Sequence, residues 1–315
     1  MRDILARLGE VGPFVGIKAY LRQGAAWRGR PVVDALVLNW IEGELLHPRT
    51  GRFSRWRACK LWLRLQLMRR AARQLVFVRH NHYPHATRPA DVPPVRRWVD
   101  RLERVAGVAA THSRAAAGSG RHYVPHPLYR HGPVQPQAVA PWALPPRYFV
   151  MFGVIAPYKR IEEVVLAFPP GQHLVVAGAV GDADYARQVQ SLQRPNVQVR
   201  LGFVGDAEGL ALVAGAQALL IAHADADVIV SGSFFFAASV ATPVIAVETP
   251  FLRSVHEEFG PALVQPVADI AALAAAAAHF TRAGDGGALA ARIEQAFGDE
   301  AVARAWQPLL QPARR

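Results

Sequence analysis

Residues 218–250 read ALLIAHADADVIVSGSFFFAASVATPVIAVETP. Ala218–Ala222 is a short apolar run and predicts a strand. Asp225, Asp227, Ser231, Gly232 and Ser233 make a polar loop of small residues. Phe234–Val240 continues as an apolar helix without a breaker, and Pro243–Val247 is a second buried strand. A small-residue loop opening a helix just after a strand is suited to an anion. The first helical N–H groups have no internal partner, the dipole end is positive, and Gly or Ser allows close approach. The competing reading of the loop by itself is an ordinary βαβ turn.

Outward from this stretch the pattern repeats. Tyr148–Phe152, Leu174–Gly178 and Val197–Leu201 predict strands, each followed by helical sequence at Ile161–Ala167, Tyr185–Leu192 and Asp206–Ala214. Thr249 caps a helix toward Phe259, and Leu263-Val264 is a short strand. Such alternation predicts a doubly wound parallel sheet. Residues 131–147 are proline-rich without periodicity and read as a linker between domains 1–130 and 148–290. Residues 291–315 are expected to close the chain as helix and pack back on the N-terminal domain.

The front half carries a different chemistry. Residues 1–147 hold 25 Lys and Arg against 8 Asp and Glu, and the remainder 11 against 16, within a net charge of +12. A basic half suits nucleic acid, an anionic surface or a phosphorylated substrate, but no zinc finger or aromatic RNP motif is present, so nucleic acid is not expected. Pro31–Leu38 and Gln74–Val78 predict strands that end at Asn39-Trp40-Ile41-Glu42 and Arg79-His80-Asn81-His82-Tyr83-Pro84-His85. Helix is expected over Arg2–Leu21 and Pro93–Val105. Gly107–Thr111 and Arg121–Pro127 also run into histidine-bearing loops, and open α/β sheets take ligands at such carboxyl ends. Ser54 caps a helix to about Gln74 on which Arg57, Lys60 and Arg64 share a face. That face predicts contact with an anionic membrane surface, the alternative being a half-buried helix with a solvated basic edge. The single cysteine, Cys59, excludes internal disulfides. No stretch reads as a signal peptide or a membrane span, and a cytoplasmic, peripheral protein is expected.

Phe152–Arg160, Leu174–Gly178, Leu201–Val204, Ser231–Ser233 and Thr242–Ala246, in that order, resemble the donor domain of the GT-B glycosyltransferases. Val76–Asn81 and Tyr123–Pro127 are similar to strands of that family's other half. The resemblance implies two Rossmann-like α/β domains facing each other across a cleft and a nucleotide-sugar donor. Asn39–Glu42 and Arg79–His85 look similar to the xanthan-type β-mannosyltransferases. That likeness implies transfer of mannose from GDP-mannose to a polyprenyl-diphosphate-linked oligosaccharide, with inversion, in exopolysaccharide synthesis. Retaining GT-B enzymes flank the phosphate loop with two glutamates; here those positions are Val228 and Phe236, and the arginine before the donor lysine is Val154. A UDP-sugar donor or retaining outcome, and a non-catalytic binding subunit, are the alternatives.

On this resemblance the donor site comprises Gly153, Tyr158, Lys159, Arg160, Phe203, Asp227, Ser231, Gly232 and Ser233. Lys159 and Arg160 take the diphosphate with the serine loop, Phe203 meets the base, and Asp227 touches the sugar. Glu42 is expected as the base, because a carboxylate near apolar surface has its pKa raised to a useful range; Glu44 and Asp34 are runners-up. Trp40, His80 and His82 are acceptor-side candidates. Asp182-Ala183-Asp184 and Asp225-Ala226-Asp227 match a three-letter metal pattern that recurs by chance, and the histidines lack zinc spacing, so no metal or other cofactor is expected.

Overall fold

The computed structural model describes residues 1–12, 33–85, 87–118, 120–129, 132, 134–223, 229–283 and 286–310. Asp225, Asp227 and Val228 lie outside these residues, as does the second half of the helix expected over Arg2–Leu21. The first half is helical only over α1, Arg2–Leu5. The chain divides into two compact units. One contains the described residues of Met1–His126, Ala226–Val230 and Asp299–Arg315, the other those of Pro127–Asp225 and Ser231–Gly298.

In the first unit four strands, β1 (Val33–Leu38), β2 (Ala72–Arg79), β3 (Gly107–Thr111) and β4 (His122–Tyr123), pair in parallel in that order. Helix α2 (Arg55–Ala71) joins β1 to β2, and α3 (Val92–Ala106) joins β2 to β3. Ser54 caps α2 by accepting from Arg57 N–H, and the helix ends three residues before the expected Gln74, running straight into β2. Ala58, Leu61, Leu65 and Met68 from α2 meet Val95, Val99 and Leu102 from α3 in one core over Leu75 and Phe77. The opposite sheet face, Val76, Val78 and Ala110, is covered by Ile4 and Leu5 and by Val302, Trp306 and Leu309.

The second unit is a six-stranded parallel sheet. Its strands are β5 (Phe149–Phe152), β6 (Leu174–Gly178), β7 (Val197–Leu201), β8 (Leu219–Ile221), β9 (Val244–Val247) and β10 (Val264–Val267). Their spatial order is β10-β9-β8-β5-β6-β7. The order reverses between β5 and β8, so the loops leaving these two neighbours diverge and open a crevice at their carboxyl ends. Almost every residue of β5, β6, β8 and β9 is buried, as a sheet covered on both faces requires. The proline-rich residues expected as a bare linker include a 3₁₀ turn, Pro136–Trp142, and belong to this unit. In place of the single closing helix expected over residues 291–315, the described residues form two helices that part at Gly298, Gly287–Phe297 in the second unit and Asp299–Leu310 in the first.

The crevice depends on a close backbone approach. After β5 the chain keeps pairing with the residues after β6, through Gly153 N–H to Ala177 O (3.0 Å), Ile155 N–H to Ala179 O (2.8 Å) and Gly181 N–H to Ile155 O (3.1 Å). Gly178 sits so near that a Cβ on it would lie 1.8 Å from Gly153 O, and Gly153 itself has φ +117°. Gly178→Ala is therefore expected to cost about 3 kcal/mol in urea denaturation, the upper end for overpacking a close-packed site.

Candidate active site

Lys159 lies at the end of the 3₁₀ turn Pro157–Lys159, and Arg160 follows in the left-handed region (φ 53°) before helix α4, Ile161–Ala167. The lysine turns back under the loop. Its Nζ donates to Phe152 O (3.2 Å) and Ser233 Oγ (3.2 Å), and Ser233 Oγ lies 3.3 Å from the same carbonyl. A side chain at position 153 would meet Nζ at 2.7 Å, so Gly153 is what admits the ammonium. No carboxylate among the described residues pairs with it, and burial lowers its pKa to about 8. Gly153, Lys159, Ser233, Ala222 and His223 line one small cavity at the β5–β8 crevice. Ser231 caps the short helix Gly232–Ala238 by accepting from Phe234 N–H (3.4 Å).

The structure thus brings Gly153, Lys159 and Ser233 into one site, with Gly232 adjoining. Tyr158 stands edge-on to His223, 5.7 Å between centroids. Arg160 turns elsewhere and forms a bidentate pair with Glu163 (2.7 and 2.6 Å). The first N–H of α4 is held by the Tyr185 hydroxyl at 2.8 Å. Phe203 stands 87 % exposed beyond β7. Phe236, one of the two positions at which the resemblance would call for a glutamate in a retaining enzyme, is buried against Phe152 (4.7 Å) and Tyr129 (5.5 Å) and supplies no acid–base group.

In the first unit, aromatic and polar groups gather at the ends of β1, β2, β3 and β4. Trp40 stacks on His80 with centroids 3.9 Å apart and 8° between planes. His80 adjoins His112 (5.2 Å), which adjoins His126 (5.1 Å). His80 Nε2 lies 3.1 Å from Asn39 Oδ1, and His112 Nδ1 donates to Val124 O at 2.8 Å. Burial, with the charges of His112 and His126, lowers the His80 pKa to about 3. The sequence points to the strand-end loops that hold His112 and His126 and to Asn39–Glu42, but it does not single out His112, His126 or Asn39 as site residues. Nor does it single out Arg79, which is 1 % exposed. Arg79 Nη1 reaches Asp100 (2.6 Å) and Glu103 (2.5 Å), while Nε and Nη2 donate to the carbonyls of Asn81 (3.2 Å) and His82 (3.1 Å). It is the post that fixes the loop carrying His80 and His82. The His82 pKa is also lowered, chiefly by burial.

Glu42 sits in the 3₁₀ helix Ile41–Leu45 that Trp40 begins. It is 3 % exposed, and neither carboxylate oxygen has a hydrogen-bond partner among the described residues. Burial raises its pKa to about 6, against smaller opposing effects of its own backbone N–H, Arg79 and His85. The runners-up are occupied: Glu44 takes Arg64 Nη1 at 2.7 Å, and exposed Asp34 pairs with Arg73 at 3.3 Å.

The expected basic face of α2 is not all free. Arg64 is held by that Glu44 carboxylate and Arg57 Nε by the Glu44 carbonyl (2.9 Å). Lys60 remains exposed, beside Trp56 and Leu63, which are 75 % and 56 % exposed. Among the described residues no cluster of three His, Cys, Asp or Glu could hold a metal ion, and no helix is long and apolar enough to cross a membrane.

No family model and no curated protein matches the chain in sequence. Solved structures match it in shape. A sucrose-phosphate synthase from Thermosynechococcus elongatus is 21 % identical with a TM-score of 0.60, over 79 % of this chain and 71 % of that one. A UDP-forming α,α-trehalose-phosphate synthase from Burkholderia vietnamiensis is 15 % identical with a TM-score of 0.58, over 93 % and 76 %. The fold is GT-B. HepE of Anabaena, solved in complex with UDP, is similar at 15 % identity and a TM-score of 0.53, over 92 % and 77 %. Identities this low carry the architecture, and the chemistry rests on the residues.

The buried carboxylate gives a measurable signature. The Glu42 pKa is raised on folding, so its protonated form is favoured in the native state. Stability is lost as pH rises from the unfolded value of 4.5 to about 6. Glu42→Gln is expected to be near-neutral at pH 4 and to stabilise the protein by about 2 kcal/mol at pH 8, read by urea denaturation.

Proposed function

We propose that the chain is a glycosyltransferase that moves a hexosyl group from a nucleoside-diphosphate sugar to a saccharide acceptor. The observation that carries this reading is Lys159: a buried ammonium without a carboxylate partner among the described residues, beside a serine hydroxyl, at the switch point of a parallel sheet. A diphosphate is the anion that fits a cation placed there. The acceptor hydroxyl attacks the anomeric carbon from the face opposite the leaving group. The new C–O bond forms as the bond to the diphosphate breaks. The electron pair departs on the diphosphate, where Lys159 and Ser233 stabilise the charge, and Glu42 takes the hydroxyl proton. Glu42 is enclosed, so this role requires the 3₁₀ helix Ile41–Leu45 to open to that hydroxyl. The buried Phe236 and exposed Val154 favour this inverting course over the retaining one.

For the donor, the resemblance of Asn39–Glu42 and Arg79–His85 to xanthan-type enzymes favours GDP-mannose, with a polyprenyl-diphosphate-linked oligosaccharide as acceptor in exopolysaccharide synthesis. The UDP bound to HepE favours a UDP-sugar. Calorimetry with GDP and UDP, followed by nucleotide release from GDP-mannose and UDP-glucose, separates the two. Binding of neither nucleotide would sink the enzyme reading. Binding without turnover, with Glu42→Gln indistinguishable from wild type, supports the non-catalytic alternative.

Lys159 adds a pH test. The diphosphate needs the ammonium, so the nucleotide Kd is expected to rise about tenfold between pH 7 and pH 9 as a group of pKa about 8 loses its proton. Lys159→Met should bind more weakly and without that dependence.

The same reading includes a peripheral site on an anionic membrane, with Trp56 and Leu63 entering the interface and Lys60 meeting phosphates. In flotation with phosphatidylglycerol-containing vesicles, Trp56→Ser/Leu63→Ser is expected to lower bound protein about tenfold. Changing Arg57 and Arg64 should matter less, because Glu44 holds them. Absence of wild-type flotation ends the membrane claim.

A further inference from the structure

Trp40 is held in an expensive way. It follows β1 with φ +56° and ψ +21°, the left-handed region that bulky residues rarely adopt. Backbone strain of this kind persists only where surrounding structure imposes it, and it collects at binding sites. The imposing contact is His80, against which the indole lies almost flat at 3.9 Å. His80 is buried and tied to Asn39, and behind it stand His112 and His126. The side chain that all this supports is nevertheless 59 % exposed. Ordinary core packing would have buried the ring, and an ordinary surface position would not strain the backbone to hold an indole flat. What remains is a rigid aromatic face, backed on one side and open to solvent.

We propose that the open face of Trp40 is a stacking platform for a pyranose ring of the acceptor, with His80 as its rigid backing. The C–H bonds on one face of a pyranose carry slight positive charge, and the face of an indole is negative. The two fit without any ionic contact, and preorganisation of the ring spares the cost of ordering it on binding. The backing imidazole stays neutral at working pH, since burial and its histidine neighbours hold its pKa to about 3, so it does not draw the indole's electrons away from the ligand. A sugar also supplies what the next residues call for. Glu42, two positions on, is a carboxylate with no donor among the described residues, and a pyranose brings hydroxyl groups. A nucleobase would stack on the same ring but brings no hydroxyl for Glu42, and the nucleotide site argued above is built from the other unit. The inference rests on the glycosyltransferase reading and sharpens its acceptor to a sugar presented by one flat face.

Saturation-transfer NMR with the methyl α- and β-pyranosides of glucose, mannose and galactose tests it on the full chain. Transfer is expected to the hydrogens of one ring face in at least one of these sugars. Trp40→Gly removes the ring while suiting the left-handed backbone, so folding is not at stake; affinity should fall about tenfold, a typical magnitude for an aromatic contact. Trp40→Phe should retain most of the signal. Absence of transfer from every pyranoside, equal transfer in Trp40→Gly, or displacement of the sugar from wild type by GDP or UDP overturns the proposal. Nucleotide calorimetry in parallel keeps the two readings apart. Nucleotide binding without a Trp40-dependent sugar signal sinks the platform alone, whereas sugar binding without nucleotide binding sinks the enzyme reading.

Discussion

A parallel sheet covered on both faces leaves its strands no room for polar groups except at their ends. Every strand pairing between named strands in both units is parallel, and this constraint sorts the chemistry of the chain. Val175, Val176 and Ala177 are fully buried, while the next residues are glycines and small side chains that let backbone meet backbone. Likewise Val76, Phe77 and Val78 are fully buried, and Arg79, His80 and Asn81 follow at once. Lys159 and Ser233 come together because β5 and β8 are neighbours whose following loops diverge. Trp40, His80, His112 and His126 come together because β1 to β4 lie in sequence order and end on one edge.

This is also why so much of the fold was legible. Strands buried on both faces write themselves as unbroken apolar runs, and the runs at 148–152, 174–178, 197–201, 218–222 and 243–247 each contain a strand. The loop–helix junction at Ser231–Ser233 and the lysine at 159 could be read because their spacing is local. Contacts that depend on distant partners could not. The approach of Gly178 to the Gly153 carbonyl is set by the pairing of two strands, and glycine at a strand end looks the same whether or not anything presses on it. The angular position of Arg57 and Arg64 put them on one face of α2 with Lys60, but periodicity carries no information about Glu44, which arrives from the preceding 3₁₀ helix. Adjacency in sequence groups Arg160 with Lys159 as a phosphate ligand, but its pairing with Glu163 is a matter of side-chain direction that adjacency does not specify.

Two buried charges in the first unit separate architecture from function. Arg79 is as buried as any apolar neighbour, yet its guanidinium meets two carboxylates and two backbone carbonyls. Removing a charge from water is costly, and this site sets four hydrogen-bond acceptors against the cost. Such a group is a strut: it fixes where β2 ends and which way its loop turns. Glu42 is enclosed to a similar degree and has no such compensation among the described residues. Its response is the expected one, a pKa raised toward neutrality.

An unsatisfied buried acceptor lowers stability by about 1–3 kcal/mol, and nothing in the packing of Ile41, Leu45 and Leu46 requires a carboxylate between them. A glutamine or an apolar residue would serve the core as well or better. A protein that keeps the carboxylate, places it two residues from a strained and exposed tryptophan, and sets both on the edge where three histidines converge has given up stability at a defined spot. Stability surrendered locally, in a frame where Arg79 has four partners, is what the proposed role of Glu42 as a base requires.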